Sequence, residues 1–273
     1  VTGASGFIAQ SFIKYSLKKN IQIIAISKKK KIYSHKKLKW IKGQFSKSNL
    51  KNMGKFDILV HFASYGTKPN DRNNLKKNFK INVLNSKDLI LRAIENNCKK
   101  FVIISSSSEF GTKNIKPYGV KKNDFKIPDD SYGLSKLIIT NIVRNYSKKY
   151  KCKFRIMRLF PVYGDGENPR RIYSTIKKCS NKNKNLFLKN PFEIRDFSHI
   201  NFVVKNLFDA LNFNKNKFKY HQTYHVSESN RLTVLEFCKI LWKRFNCVGK
   251  IIYRNKKKKL TNHISHKSSN WRL

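Results

Sequence analysis

The chain has 273 residues, and its 60 Lys and Arg against 15 Asp and Glu give a formal net charge of +45 at pH 7. A hydrophobic fraction of 40%, with 13% aromatic residues, is typical of a globular protein and excludes a wholly disordered chain. Such a charge would suit a nucleic acid, but the lysines occupy almost every polar position, which indicates a general compositional bias.

Apolar runs of strand length alternate with helical patterns over the first 165 residues. The predicted strands are 21–27, 56–63, 101–106 and 154–160, and the predicted helices are 7–19, 82–97 and 131–150. This alternation predicts an α/β fold with a Rossmann-type, doubly wound parallel sheet. The carboxyl ends of such strands meet at one edge, where ligands bind.

The first predicted helix follows the glycine loop VTGASGFIA at 1–9. Gly3 permits a tight turn, Gly6 lets the backbone approach a pyrophosphate, and the helix N-terminus supplies free N–H groups and a positive dipole. The loop therefore predicts a dinucleotide site. Because the chain enters at the end of what should be the first strand, without an initiator Met, we expect a fragment whose first strand is truncated.

The end of the second predicted strand bears on the choice of dinucleotide. In NAD-binding sheets an acidic residue here accepts hydrogen bonds from the adenosine ribose. This chain has Ser27, Lys28 and Lys29 instead, and lysines attract a 2′-phosphate. The sequence favours NADP over NAD, although lysine is common throughout the chain.

A tyrosine and a lysine, Tyr132 and Lys136, stand four apart at the start of the third predicted helix. Residues four apart share one helical face. A neighbouring ammonium stabilises a phenolate, so that a tyrosine can exchange a proton near neutral pH. The segment FVIISSSSEFG at 101–111 offers a hydroxyl donor for a substrate oxygen at a strand's carboxyl end.

Past residue 165 the pattern changes to helices and short strands. We therefore expect a dinucleotide-binding domain at 1–165 and, at 166–273, a smaller and mainly substrate-binding lobe interleaved with the sheet domain. The C-terminus also has the character of a truncated end.

Several motifs in one order resemble the extended short-chain dehydrogenase/reductases, a family of nucleotide-sugar epimerases, dehydratases and ketoreductases. They are the glycine loop at 2–9, HFAS at 61–64, Asn82, Ser106 five before Gly111, Tyr132 with Lys136, RLFPVYG at 158–164 and RDFSHINF at 195–202. The resemblance runs over nearly the whole chain.

The resemblance implies a mechanism and a set of roles. Tyr132 would be the general acid/base, Lys136 its electrostatic partner and Ser106 the group that polarises the substrate oxygen. Substrate contacts would come from Ser107 and from Arg195, whose guanidinium suits a diphosphate; a structural ion pair with Asp196 is the alternative. Together with Lys28, which is inferred from its position after the second strand, the expected cofactor contacts are Gly3, Ser5, Gly6, Phe7, Ile8, His61, Ala63, Asn82, Tyr132 and Lys136.

Departures from the family pattern narrow the expected activity. Sugar 4,6-dehydratases carry Asp-Glu directly after the catalytic Ser/Thr, whereas this chain has Ser107 and Ser108, which disfavours dehydration. We expect an NAD(P)-dependent 4-ketoreductase of a nucleotide-linked deoxysugar, with a nucleotide-sugar 4-epimerase that retains NAD as the alternative. A non-catalytic dinucleotide- or RNA-binding member of the family is the distant alternative.

The remaining expectations concern location and partners. Five cysteines without a CxxC pair indicate neither a disulfide framework nor a zinc site. No apolar run approaches the roughly 20 residues that span a bilayer, and no signal peptide is visible, so we expect a cytoplasmic protein. The resemblance implies a nucleotide-sugar partner and a possible homodimer.

Overall fold

The computed structural model describes residues 1–28, 33–43, 54–111, 119–180, 184–214 and 218–254. Lys29, one of the lysines that favoured NADP, lies outside these ranges.

The described strands, in chain order, are β1 (Ile23–Ser27), β2 (Leu38–Lys42), β3 (Ile58–His61), β4 (Lys100–Ser106), β5 (Lys153–Leu159), β6 (Val162–Tyr163), β7 (Leu186–Leu188), β8 (Ile194–Asp196), β9 (Ser198–His199), β10 (His221–Val226), β11 (Arg231–Thr233) and β12 (Ile251–Tyr253). The α-helices are α1 (Phe7–Lys18), α2 (Leu75–Asn78), α3 (Asn85–Glu95), α4 (Ser131–Lys149), α5 (Ile172–Ser180), α6 (Ile200–Asp209) and α7 (Val234–Arg244).

The central sheet is parallel in every described pairing. β1 pairs with β2, and β10, β5, β4 and β3 lie side by side. Thr2 bridges both halves, since it forms parallel bridges to Ile26 in β1 and to His61 in β3. The order across the sheet is thus β2, β1, the Thr2 segment, β3, β4, β5 and β10, which confirms the predicted Rossmann-type α/β fold.

Helices cover both faces of this sheet. Successive side chains of a strand point to opposite faces, so in β4 Phe101 joins the core beneath α3 and α4, while Val102 joins the core beneath α1 and α6. The Phe101 ring stacks on Phe154 of β5 with centroids 4.4 Å apart. Burial on both faces explains the nearly continuous apolar runs from which these strands were predicted.

Two elements differ from the sequence expectation. The helix predicted at 82–97 begins earlier, because Asn74 caps α2 and a π-helical segment, Phe79–Leu84, joins α2 to α3. Strand β2 was not predicted. Its side chains are mostly half-buried or exposed and include two lysines, so it lacks the apolar pattern of the inner strands.

The C-terminal part has a core of its own. Side chains from α5, β7 and α7 pack together there, and Phe197 stacks on Phe237 with ring centroids 3.8 Å apart. From the same part of the chain, β10 extends the central sheet and α6 packs beside α1. Within the described ranges, no helix has the length and apolar character needed to cross a membrane.

Candidate active site

The glycine loop crosses the carboxyl end of the sheet at very close range. Gly3 has a φ of +65°, and a Cβ atom there would lie 2.6 Å from the backbone nitrogen of Ala63, just beyond β3. The Thr2 N–H donates to Val60 and the Phe62 N–H donates to Thr2, at 3.0 and 3.2 Å. A side chain at position 3 would push the loop off the end of β3.

The N-terminus of α1 is open to a ligand. Gly6 is the N-cap residue, no side chain caps the helix, and the first turn carries no acidic residue. The residues predicted here, Ser5, Phe7 and Ile8, are half-buried, and Lys28 is exposed just after β1. Unpaired N–H groups at a helix start favour an anion, so the loop fits the pyrophosphate of a dinucleotide.

His61 is the last residue of β3 and lies buried at the carboxyl edge of the sheet. It is 3% exposed, and its two ring nitrogens lie 2.7 Å from the Thr2 hydroxyl and 2.9 Å from the Ser86 hydroxyl. Burial, with the Lys136 ammonium nearby, lowers the pKa of His61 to about 3. The neutral imidazole therefore links the Thr2 segment to α3 through hydrogen bonds.

Asn82 fixes the loop that follows β3. Its amide nitrogen donates to the Tyr65 carbonyl at 3.0 Å and to the Ser135 hydroxyl at 2.8 Å, and its oxygen accepts the Tyr65 N–H at 2.7 Å. Ser135 belongs to α4, the helix that carries Tyr132. Asn82 thereby holds the loop and that helix in one arrangement.

Tyr132 starts its helix beside the end of β4. The Asp130 side chain caps α4 by accepting the Gly133 N–H at 2.7 Å, which places Tyr132 in the first turn. Burial raises the pKa of Tyr132, while the neighbouring Ser106 and Ser64 hydroxyls and the nearby Arg72 guanidinium act to lower it. The structure thus brings the predicted Ser106 and Tyr132 together.

Lys136 is 4% exposed, and its ammonium donates to the Ile104 carbonyl of β4 at 2.9 Å. Burial lowers the pKa of Lys136 to about 8, with Glu109 acting in the opposite direction, so the ammonium persists at neutral pH. The cation that stacks on the Tyr132 ring is Arg72, whose guanidinium carbon lies 4.8 Å from the ring centroid.

A buried charge cluster lies behind the site. Glu109 and Arg158 are both fully buried, and they form an ion pair of 2.7 Å. The Glu109 carboxylate also accepts hydrogen bonds from Ser105 and Thr140, and Arg158 lies 3.1 Å from the His225 ring. Because the negative charge of Glu109 raises the pKa of Lys136, this cluster helps to keep the lysine protonated.

Arg195 lines a cavity of about 270 Å³ in the C-terminal part. Its guanidinium donates to the Glu193 carboxylate at 2.7 Å, a partner that the sequence did not predict. The other basic residues at this cavity are Arg170 and Lys189, and its apolar wall includes Ile172, Leu186 and Leu188. Ser107, the second predicted substrate contact, lies on a 3-10 turn after β4.

Three contributors were not recognised from the sequence. Arg72 lies in a loop with no recognisable motif. Ser64 is visible as a hydroxyl residue within HFAS, and Glu109 as the carboxylate in the otherwise uncharged SSSSEFG. Both of the latter signals could have been read, because a polar residue inside an apolar strand end has to find a partner.

The fold and this site define a Rossmann-type protein of the short-chain dehydrogenase/reductase class. The chain belongs to the NAD dependent epimerase/dehydratase family, whose sequence profile matches residues 1–226. Its relatives are nucleotide-sugar enzymes, including epimerases, dehydratases and reductases.

Two curated relatives show the range of activities among the proteins that this chain resembles. A putative UDP-glucose 4-epimerase of Methanocaldococcus jannaschii is 23% identical over 93% of this chain and 84% of its own length. A dTDP-4-dehydro-6-deoxyglucose reductase of Escherichia coli is 24% identical over 61% of this chain and 56% of its own length. These relatives support a nucleotide-sugar enzyme but differ in activity.

A solved structure shares the fold. The UDP-glucuronic acid 4-epimerase of Bacillus cereus, in complex with UDP-glucuronic acid and NAD, superposes with a TM-score of 0.80 at 20% identity, covering 99% of this chain and 88% of that one.

Proposed function

We propose that the protein is an NAD(P)-dependent oxidoreductase of a nucleotide-diphosphate sugar, acting as a 4-ketoreductase of a deoxysugar nucleotide. The observation that carries the proposal is that the start of α4 packs against the 3-10 turn that follows β4, so that the Tyr132 phenol lies beside the Ser106 hydroxyl. This arrangement supplies a proton donor and a second hydroxyl at one substrate oxygen. The open α1 N-terminus lies at the same edge of the sheet.

The side chains have distinct roles in the reduction. A bound reduced nicotinamide supplies the hydride that reaches the carbonyl carbon. Tyr132 donates its phenolic proton to the carbonyl oxygen, and Ser106 stabilises the negative charge that develops there. Lys136, held by the Ile104 carbonyl, would hold the nicotinamide ribose, and its positive charge favours the phenolate that remains.

The glycine loop and its surroundings would hold the dinucleotide. Gly3, Ser5, Gly6, Phe7 and Ile8 surround the open helix N-terminus, and Ala63 lies against Gly3. His61 and Asn82, whose side chains are hydrogen-bonded to neighbouring protein groups, would line the same site. Exposed Lys28 supports a preference for NADP over NAD, since its charge attracts a 2′-phosphate.

The C-terminal part would bind the substrate. Arg195 and Arg170 carry fixed positive charges at the 270 Å³ cavity, which suits a diphosphate, and its apolar wall suits a nucleotide base. Ser107 would contact the sugar beside Ser106. This division assigns 1–165 to the cofactor and 166–273 mainly to the substrate.

A 4-epimerase is the second candidate, because the M. jannaschii relative matches over most of both chains. It would use the same Tyr132 and Ser106 to oxidise the sugar and to reduce it again on the other face. The two activities differ in stoichiometry, since an epimerase regenerates its cofactor and a reductase consumes it.

The assay supplies NADPH or NADH with a panel of nucleotide-4-ketosugars and follows the loss of reduced-nicotinamide absorbance. We expect stoichiometric consumption and tighter binding of NADPH. Turnover of a nucleotide sugar with no net cofactor change would establish the epimerase instead. Salt-sensitive RNA binding without any hydride transfer would support the distant, non-catalytic alternative, and tighter binding of NADH would refute the role given to Lys28.

We also propose a homodimer formed through α2, α4 and the π-helical segment. These elements expose large apolar side chains: Leu75 at 57%, Phe79 at 40% and Leu134 at 41%. Phe79→Lys is expected to shift the protein from dimer to monomer in sedimentation velocity, because a charge at an apolar interface is costly. Ile240→Lys, at an exposed position on α7, is the matched control. An unchanged mass for both variants, or a wild-type monomer, would refute this interface.

A further inference from the structure

Arg72 is anchored at three points around the start of α4. Its Nε forms a 2.5 Å ion pair with Asp130, and its Nη2 donates to the Ser108 hydroxyl at 3.0 Å. Its guanidinium carbon lies 4.8 Å from the centroid of the Tyr132 ring. Ser108 in turn accepts a hydrogen bond from Ser106 at 3.1 Å. One guanidinium thus contacts the tyrosine, the cap of its helix and the serine chain beside it.

The backbone of Arg72 is fixed as firmly as its side chain. Its carbonyl accepts the Tyr132 N–H at 3.0 Å and the Asn78 amide at 3.0 Å. Asn78 is fully buried and also donates to the Asp71 and Asn74 carbonyls. The buried asparagine therefore holds the whole turn against the tyrosine.

The loop is fitted closely to the same ring. At Gly66 a Cβ atom would lie 2.3 Å from the Asn78 amide oxygen and 3.0 Å from Cδ2 of Tyr132. The Ser64 hydroxyl, two residues earlier, lies close enough to the Tyr132 phenol to act on its pKa. The residues 64–72 thus surround the side chain on which the proposed proton transfer depends.

We propose that Arg72 is a positioning residue for Tyr132: its guanidinium, held by Asp130, fixes the phenol ring and stabilises the ionised phenol. This inference rests on the proposed function, which makes Tyr132 the proton donor. An arginine suits the role because its planar, permanently charged group stacks on aromatic faces.

The charged groups that face Tyr132 are few enough for the effect of Arg72 on the pKa of the phenol to be separated from theirs. Arg72 and Asp130 come from the loop and the helix cap, with opposite influences on the pKa of the phenol, and Ser64 and Ser106 contribute hydroxyls. Lys136 lies one turn further along the same helix and bonds the Ile104 carbonyl. Removing the Arg72 charge should therefore raise the pKa of Tyr132, whereas removing the Asp130 charge should lower it.

The test measures the ionisation of Tyr132 without any substrate. Tyrosinate absorbance is titrated in the wild type, Arg72→Gln and Asp130→Asn, and each curve is corrected by the same protein carrying Tyr132→Phe. We expect the transition to move up by about one pH unit in Arg72→Gln, the scale of a partly desolvated cation–π contact. It should move down in Asp130→Asn, in which asparagine still caps α4.

Controls separate this effect from a change in fold. Arg92→Gln removes an equal charge from α3 and should leave the transition in place, and circular dichroism checks that each variant is folded. Arg72→Lys keeps the charge but not the planar group that stacks on the ring, so the tyrosinate transition should move up by less than in Arg72→Gln. If Arg72→Gln fails to fold, this smaller upward shift is the result that tests the proposal. In active protein, the Tyr132 limb of the kcat/KM profile should move in the same directions.

The outcomes are distinct for the two proposals. Identical Tyr132 transitions in folded wild type and Arg72 variants would overturn the role of Arg72, whatever the activity. Opposite shifts in the two variants without any hydride transfer would support that role and refute the proposed function.

Discussion

Replacing Tyr132 by phenylalanine is expected to lower the rate of hydride transfer by about 10²–10⁴-fold, the usual contribution of a positioned general acid. The variant keeps the aromatic ring and its contact with Arg72, and loses only the hydroxyl that lies beside Ser106 and Ser64. Cofactor binding should be nearly unchanged. Single-turnover absorbance of the reduced nicotinamide, with cofactor titration alongside, measures both quantities.

Tyr146→Phe is the matched control for this variant. It removes the same hydroxyl from a half-buried tyrosine on the same helix, and we expect ordinary activity. Full activity in Tyr132→Phe would show that another group supplies the proton. Equal losses in both variants would point to damage of α4 rather than to lost chemistry.

The second large effect is expected at the buried ion pair. Glu109→Gln should destabilise the fold by about 3–5 kcal/mol, because the Arg158 guanidinium would remain buried without its counter-charge. The loss should appear in urea unfolding followed by circular dichroism. The double variant Glu109→Gln with Arg158→Met removes both charges and should recover much of the loss.

The exposed pair between Asp165 and Lys177 provides the comparison. Its side chains are 72% and 49% exposed, so Asp165→Asn should hardly change the unfolding midpoint. A similarly small effect in Glu109→Gln would contradict the view that the buried pair supports the site. Since Glu109 raises the pKa of Lys136 against the effect of burial, its loss should also lower that pKa and shift the loss of the ammonium to lower pH.

Local patterns were enough to predict the parts of this molecule whose partners are set by sequence spacing. The inner strands and the helix carrying Tyr132 with Lys136 follow from the periodicity of their apolar residues. The glycine loop follows from glycines placed where the backbone needs a positive φ or a close approach. Strand β2 escaped prediction because an edge position tolerates lysines. The π-helical segment escaped because an extra residue in a turn leaves no local signature.

The contacts of the site depend on distances along the chain that no local pattern reports. Arg72 and Asp130 are 58 residues apart, and they meet only because the sheet places β3 and β4 side by side. For the same reason, the spacing of Lys136 from Tyr132 predicted a shared face but not the carbonyl to which the lysine is bonded.

The π-helical segment gives the helix between Leu75 and Glu95 a local irregularity with a use. Each residue added to or removed from a helix rotates its N-terminal portion by about 100° relative to its C-terminal portion. Asn82 lies in the wide turn and reaches Asn78, which holds the turn against Tyr132. A regular α-helix without the extra residue would turn the Asn78 side chain away from the Arg72 carbonyl. The loop at 64–72 would then no longer be held against the Tyr132 ring, so the irregular turn is needed to keep that ring in place.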